Sequence, residues 1–241
     1  MRKIVALFLA VLLCAAFVTP IFAENGINNT AETASLVKPS FEVEAKSAVL
    51  MDGTSGEILF EQNADAAYSP ASVTKIMTLL LVMEALDEGR ISLDDKVRIS
   101  AYASSMGGSQ VFLRENEEMS VEELIKCAVI ASANDASVAL AELVSGSEAA
   151  FVLMMNKRAA ELGMKNTNFE NVTGLDDDTV DHRTSARDIA IMSRELISHE
   201  KILEYSSIWQ DSIRDGEFTL TNTNRLVRFY EGCNGLKTGS N

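Results

Sequence analysis

The chain has 241 residues, enough for one large domain or two small ones with a sizeable core. Hydrophobic residues make up 47% and charged residues 23%, and the formal net charge of −14 with no basic stripe argues against a nucleic-acid partner. Three cysteines and the scattered His182 and His199 give neither a disulfide framework nor metal-ligand spacing, so neither metal nor cofactor is expected.

The N-terminus reads as an export signal. Arg2 and Lys3 precede an apolar run from Ile4 to Val18, and Ile21-Phe22-Ala23 offers a cleavage site after Ala23. An uncleaved membrane anchor is the alternative. Removal of residues 1–23 moves the net charge from −14 to −16 and leaves Cys127 and Cys233. Residues 24–45 are polar and irregular and read as a linker. Two strands, Lys46 to Met51 and Glu57 to Glu61, flank Asp52-Gly53-Thr54-Ser55-Gly56, a hairpin signal. Ser72 to Glu84 then reads as a helix, apolar on every face and therefore a core helix.

A Gly/Ser-rich loop that includes Gly107-Gly108-Ser109 follows. Ser120-Val121-Glu122-Glu123 is a capping-box pattern and opens a helix to about Ala131. Asp135 to Val144 and Ser147 to Leu162 are further helices, the last ended by Gly163. Residues 170–184 form a polar loop holding four aspartates, and Thr184 or Ser185 caps a helix to about Ile197. Strand-like stretches follow at Ile208 to Ile213, Phe218 to Asn222 and Leu236 to the end, with Asp215-Gly216 as a turn. Strands early and late with helices between predict a sheet drawn from both ends and flanked by helices.

Three short stretches could carry chemistry. Ser72 and Lys75 lie three apart and so share one face of a helix. A lysine buried beside a serine loses its charge readily and can take the hydroxyl proton. Taken alone, the tetrapeptide also fits the commoner arrangement of an N-cap serine and a first-turn surface lysine. Ser132-Ala133-Asn134 falls at a break between helices, where a hydroxyl could relay protons and a carboxamide could hold a substrate amide; a helix cap is the alternative. Lys237-Thr238-Gly239 offers positive charge, a hydroxyl and room for a backbone to approach; alone it says little.

Together they run in the order Ser-x-x-Lys, Ser-x-Asn, Lys-Thr-Gly, with Ser132 60 residues after Ser72 and Lys237 105 after Ser132. This is the signature of penicillin-recognising serine enzymes. Further stretches extend it: Ser47 to Asp52, Tyr68 to Thr78, Ile130 to Ala136, Thr173 to Asp176, Thr184 to Asp188 and Asn234 to Gly239. Over residues 45–240 the chain resembles a low-molecular-mass penicillin-binding protein of the D-alanyl-D-alanine carboxypeptidase family (serine peptidase family S11).

The resemblance implies an α/β fold of the α+β type, β-lactamase/transpeptidase-like, with an antiparallel sheet, flanking helices and a helical subdomain, filling residues 46–241. It implies Ser72 as nucleophile toward the penultimate D-Ala carbonyl of peptidoglycan pentapeptides and Lys75 as its base. Ser132 relays protons, and Asn134, Lys237, Thr238, Gly239 and Ser240 bind substrate, with the Ser72 and Ser240 N–H groups as oxyanion donors. β-Lactam antibiotics are expected to acylate Ser72 at the outer face of the cell membrane or in the wall. Members of the family continue beyond the position of Asn241 with further strands, a second domain and an amphipathic membrane anchor, the only membrane contact expected. From that departure weak or absent turnover is expected for these residues alone, with a penicillin- or peptidoglycan-binding fragment as the alternative. A serine β-lactamase fits less well, because no Glu followed four residues later by Asn lies between Asn134 and Lys237. His182 is read as a loop residue, His199 as a helix-end residue and Cys233 as an idle thiol.

Overall fold

A computed structural model describes residues 43–175 and 178–240. The export signal, the linker up to residue 42, Asp176, Asp177 and Asn241 lie outside the described residues. The first two strands are β1 (Ala48–Met51) and β2 (Ile58–Gln62), an antiparallel hairpin as expected. Asp52 closes its turn by accepting the N–H groups of Thr54 and Ser55 at 3.0 and 2.6 Å. A two-residue strand, β3 (Ala67–Tyr68), leads to a 3₁₀ turn over Ala71–Thr74 and then to α1 (Lys75–Asp87).

Ten of the thirteen residues of α1 are buried, as a helix apolar on all sides requires. Around it come β4 (Lys96–Arg98), the short α2 (Ala101–Ser104), β5 (Glu118–Ser120), α3 (Val121–Ile130), α4 (Asn134–Ser145) and α5 (Glu148–Glu161). Then follow β6 (Thr184–Ser185), α6 (Ala186–Ile197), α7 (Glu200–Ser206), β7 (Gln210–Ile213), β8 (Phe218–Thr221) and α8 (Leu226–Phe229). Helix α1 packs against α4, α5 and α6, so the core is built round it.

Local chemistry sets the helix ends. Ser120 and Glu123 form the capping box at α3, with reciprocal bonds of 3.2 and 3.0 Å. Ser147 caps α5 and Ser185 caps α6. The last turn of α5 ends at Leu162, with Gly163 following in the left-handed region as expected.

Helices and antiparallel strands are mixed as the fold class requires, but two expectations change. Among the described residues the strands form four separate two-stranded pairs, β1–β2, β3–β6, β4–β5 and β7–β8, rather than one sheet drawn from both ends. Leu236 to Ser240 is not a strand. Side chains take up the backbone groups just before it: the Asn224 amide donates to Gly235 O at 2.8 Å, and Ser206 Oγ donates to Asn234 O. The predicted strand from Ile208 begins only at Gln210, because Asn222 takes the Ile208 and Trp209 carbonyls at 2.8 Å each. Helices α7 and α8 and the short pairs β3–β6 and β4–β5 were not expected; each is too brief for a hydrophobic period to mark it.

Candidate active site

Ser72 sits in the 3₁₀ turn rather than in the α-helix, which begins at Lys75. A 3₁₀ turn has three residues per turn, so side chains at i and i+3 eclipse. That brings the pair into register: Lys75 Nζ donates to Ser72 Oγ at 3.2 Å and to the Thr173 carbonyl at 2.8 Å. Lys75 is 0% exposed and Ser72 is half-buried. Burial holds the Lys75 amine well below the ordinary lysine value, and the charge of Lys237 pushes the same way, while Asp135 opposes both. The surface-lysine alternative is thereby removed.

The turn is tightly gripped. Ala71 has φ 46°, a left-handed value that alanine rarely adopts. Gly174, at φ 84°, lies so near that a Cβ there would stand 1.7 Å from Ala71 O. Only glycine lets the Thr173–Gly174 backbone come close enough for its carbonyl to hold Lys75.

Ser132 occupies the break between α3 and α4 with φ 60° and 3% exposure. Its Oγ is buried without a hydrogen-bond partner among the described residues, as is Asn134 Oδ1. Buried polar atoms in that state are costly and mark a place where a ligand can supply the partner. Asn134 Nδ2 is engaged, donating to Gly107 O at 2.8 Å. Next to it, the buried Asp135 carboxylate accepts N–H bonds from Val111 (3.1 Å), Leu113 (3.0 Å) and Ala136 (2.9 Å). Those bonds pin the 107–113 loop to the start of α4, where the helix dipole also favours a negative charge.

The third stretch lies against the first. A Cβ on Gly239 would meet Pro70 O and Val73 Cγ2 at 3.1 Å each, so this glycine borders the turn that carries Ser72. Lys237 is half-buried, and burial lowers its amine to about 8; Nζ donates to Thr238 O at 2.7 Å. Thr238 Oγ1 donates to Thr223 Oγ1 at 2.7 Å, while Ser240 is exposed.

Three contributors were not singled out from sequence. They are the Thr173 carbonyl, Asp135 (read only as a cap-favouring residue) and His182, a buried side chain whose Nε2 lies 2.7 Å from Thr74 Oγ1. Thr173 lies 98 residues from Lys75, and His182 lies 108 from Thr74. No spacing rule reaches across such gaps. Cys127 is buried and its thiol is pushed up by burial, and Cys233 is half-buried; neither touches Ser72. The acidic loop places Asp178 with Glu148, Glu170 and Thr173 around a cavity of about 290 Å³.

Comparisons with known proteins identify the family. The family model described as D-alanyl-D-alanine carboxypeptidase matches residues 30–241. The D-alanyl-D-alanine carboxypeptidase DacF of Bacillus subtilis is 48% identical over 242 residues, covering 99% of this chain and 60% of that protein. Penicillin-binding protein 6B from Escherichia coli superposes with a TM-score of 0.77 at 37% identity, over 83% of this chain and 64% of that one. Penicillin-binding protein D2 from Listeria monocytogenes, solved in its ampicillin-bound form, superposes with a TM-score of 0.75 at 33% identity, over 85% and 82%. The chain spans half to three fifths of the length of the first curated relatives it matches. On the family model and these likenesses, the chain belongs to the D-alanyl-D-alanine carboxypeptidase family.

Proposed function

We propose that these residues supply the catalytic machinery of a serine-type D-Ala-D-Ala carboxypeptidase that removes the terminal D-Ala from peptidoglycan pentapeptides and is inhibited by β-lactams. The observation that carries this reading is Lys75: wholly buried, depressed in its proton affinity and 3.2 Å from Ser72 Oγ. A neutral amine in that place takes the serine proton as Oγ attacks the penultimate D-Ala carbonyl. The backbone N–H groups of Ser72 and Ser240 face the oxyanion that forms. As the C–N bond breaks, Ser132 Oγ gives its proton to the departing D-Ala amine and takes in its place the proton held by Lys75. Water then adds to the acyl carbon, its proton passes to Lys75, and Lys75 returns it to Ser72 Oγ as the serine leaves.

Asn134 holds the backbone amide of the substrate, for which its unpartnered Oδ1 is suited. Lys237 supplies the charge that the terminal carboxylate of the substrate requires, with Thr238 as a hydroxyl partner and Gly239 giving clearance. The same constellation accepts a β-lactam ring as an acylating agent, a reading supported by the likeness to a penicillin-binding protein solved in an ampicillin-bound form. Peptidoglycan lies outside the cytoplasm, so the enzyme works at the outer face of the membrane or in the wall, reached through the export signal read at residues 1–23.

Fluorescent penicillin followed by assay of D-Ala release from a pentapeptide tests the reading in two steps. Labelling is expected for the parent chain and absent from Ser72→Ala. Lys75→Ala is expected to lose about 10³-fold or more in acylation rate, the loss expected for removing the base of a nucleophile pair. Labelling that persists in Ser72→Ala sinks the assignment of the nucleophile.

A further inference from the structure

The chemistry above leaves one buried polar pair unused, His182 and Thr74. His182 Nδ1 accepts the backbone N–H of Glu170 at 2.9 Å. A ring nitrogen that accepts does not carry the proton, so in the neutral ring the proton sits on Nε2. Nε2–H then donates to Thr74 Oγ1 across 2.7 Å. The Phe169 ring packs against the imidazole in a T-shaped pair, 5.9 Å between centroids.

The two ends of this bridge matter. Thr74 is wholly buried and lies between Ser72 and Lys75 in the nucleophile turn. Glu170 opens the stretch that ends at Thr173 and Gly174, the stretch that holds Lys75 Nζ and grips Ala71. That stretch is stiffened internally, since Asn171 Oδ1 accepts from Thr173 N at 3.1 Å and Gly174 N at 2.7 Å. The imidazole therefore spans two rigid pieces whose separation sets the length of the Lys75–Thr173 bond.

We propose that His182 is a positioning residue: through Thr74 Oγ1 and the Glu170 N–H it fixes the spacing between the nucleophile turn and the 170–174 segment, and so holds Lys75 Nζ between Ser72 Oγ and Thr173 O. The role rests on the acyl-enzyme reading of Ser72 and Lys75. The Thr78 hydroxyl ties α1 to the same segment one turn further on, at Val172 O (2.7 Å), so loss of the strut loosens the Ser72 end of the contact, water reaches the amine, and Lys75 behaves more like an ordinary lysine. The charged groups that act on Lys75, Lys237 and Asp135, are altered by none of the substitutions below.

The test compares His182→Ala and Thr74→Val with Thr74→Ser, which keeps the hydroxyl. Acylation by fluorescent penicillin is followed from pH 6 to 10, and Lys75 is titrated directly by NMR of ¹³Cε-labelled lysine, with Lys75→Met assigning the signal. At pH 7, His182→Ala and Thr74→Val are expected to acylate about 10- to 100-fold more slowly, the scale on which a displacement of ~1 Å is felt. Their acid limb and the Lys75 titration are expected to move up by about one pH unit, with Thr74→Ser matching the parent. Thr74→Val is isosteric and carries the test if His182→Ala does not fold. A Lys75 titration unmoved in Thr74→Val while the melting temperature falls would overturn the proposal and leave His182 a packing residue. A parent chain that penicillin never labels refutes the acyl-enzyme reading instead, and the NMR titration then decides on His182 separately.

Discussion

Two lysines share this site with opposite requirements. In the proposed mechanism Lys75 must be neutral to accept a proton, and Lys237 must be charged to meet a carboxylate. Burial lowers both, and at Lys75 the charge of Lys237 pushes the same way. Activity needs the interval in which Lys75 has lost its proton and Lys237 has kept it. The charge on Lys237 disappears as pH rises through about 8, so kcat/KM for D-Ala release is expected to decline above that pH. An arginine stays charged beyond pH 12, and Lys237→Arg, though slower at its best, is expected to push that decline up by more than one pH unit. Identical alkaline limbs in the two proteins would remove Lys237 from the role.

Lys75 also makes a prediction about stability. Its folded-state value lies below the unfolded value of 10.5, so between the two the unfolded chain binds more protons and stability rises with pH. Lys75→Met removes the buried amine and this slope with it. The melting temperature of Lys75→Met relative to the parent is expected to be most favourable at acid pH and to lose that advantage as pH approaches 10, as read by calorimetry at pH 6, 8 and 10. At this scale the sequence was informative about side chains near one another in the chain, Ser72 with Lys75 and Ser132 with Asn134. It was silent about their long-range partners, because Thr173 O is a main-chain atom that every residue type carries, and His182 has no distinctive neighbours.

Among the elements, the Thr173–Gly174 stretch packs against the turn that carries Ser72. Gly174→Ala places a methyl group in the space of the Ala71 carbonyl. The expected cost is at least ~2–3 kcal/mol in urea unfolding, from overpacking joined to a left-handed φ, together with loss of penicillin labelling. The cap of α3 gives the contrasting case. Ser120→Ala breaks the capping box and should cost about 1 kcal/mol while leaving the acylation rate within twofold, because the cap lies at the far end of α3 from Ser132. Elements long enough to show a period, or bounded by a strong cap, were legible: α1, α3, α4, α5, α6 and the β1–β2 hairpin. Strands of two or three residues were not. The misread segment was Leu236 to Ser240, where a strand-like composition meets neighbours that satisfy the backbone with side chains.

In the whole molecule, one continuous core runs from Ile76 through α3, α4, α5 and α6 to Leu220. The candidate site residues come from the start of that span (Ser72, Lys75), its middle (Ser132, Asn134) and beyond its end (Lys237). Residues that pack on one core unfold together. Thermal melts followed by near-ultraviolet and far-ultraviolet circular dichroism are expected to coincide, and penicillin labelling is expected to vanish over the same interval. A loss of labelling well below the melt would mean that the nucleophile turn loosens ahead of the core.

The half-buried Lys237 has a consequence for chemical probing. At pH 8 about half of its side chains are free amines, against about one in three hundred for a lysine of ordinary basicity. A mild amine-selective ester at that pH should therefore mark Lys237 ahead of the solvent-exposed lysines. A peptide map of the reacted protein would then report whether the site is open or filled.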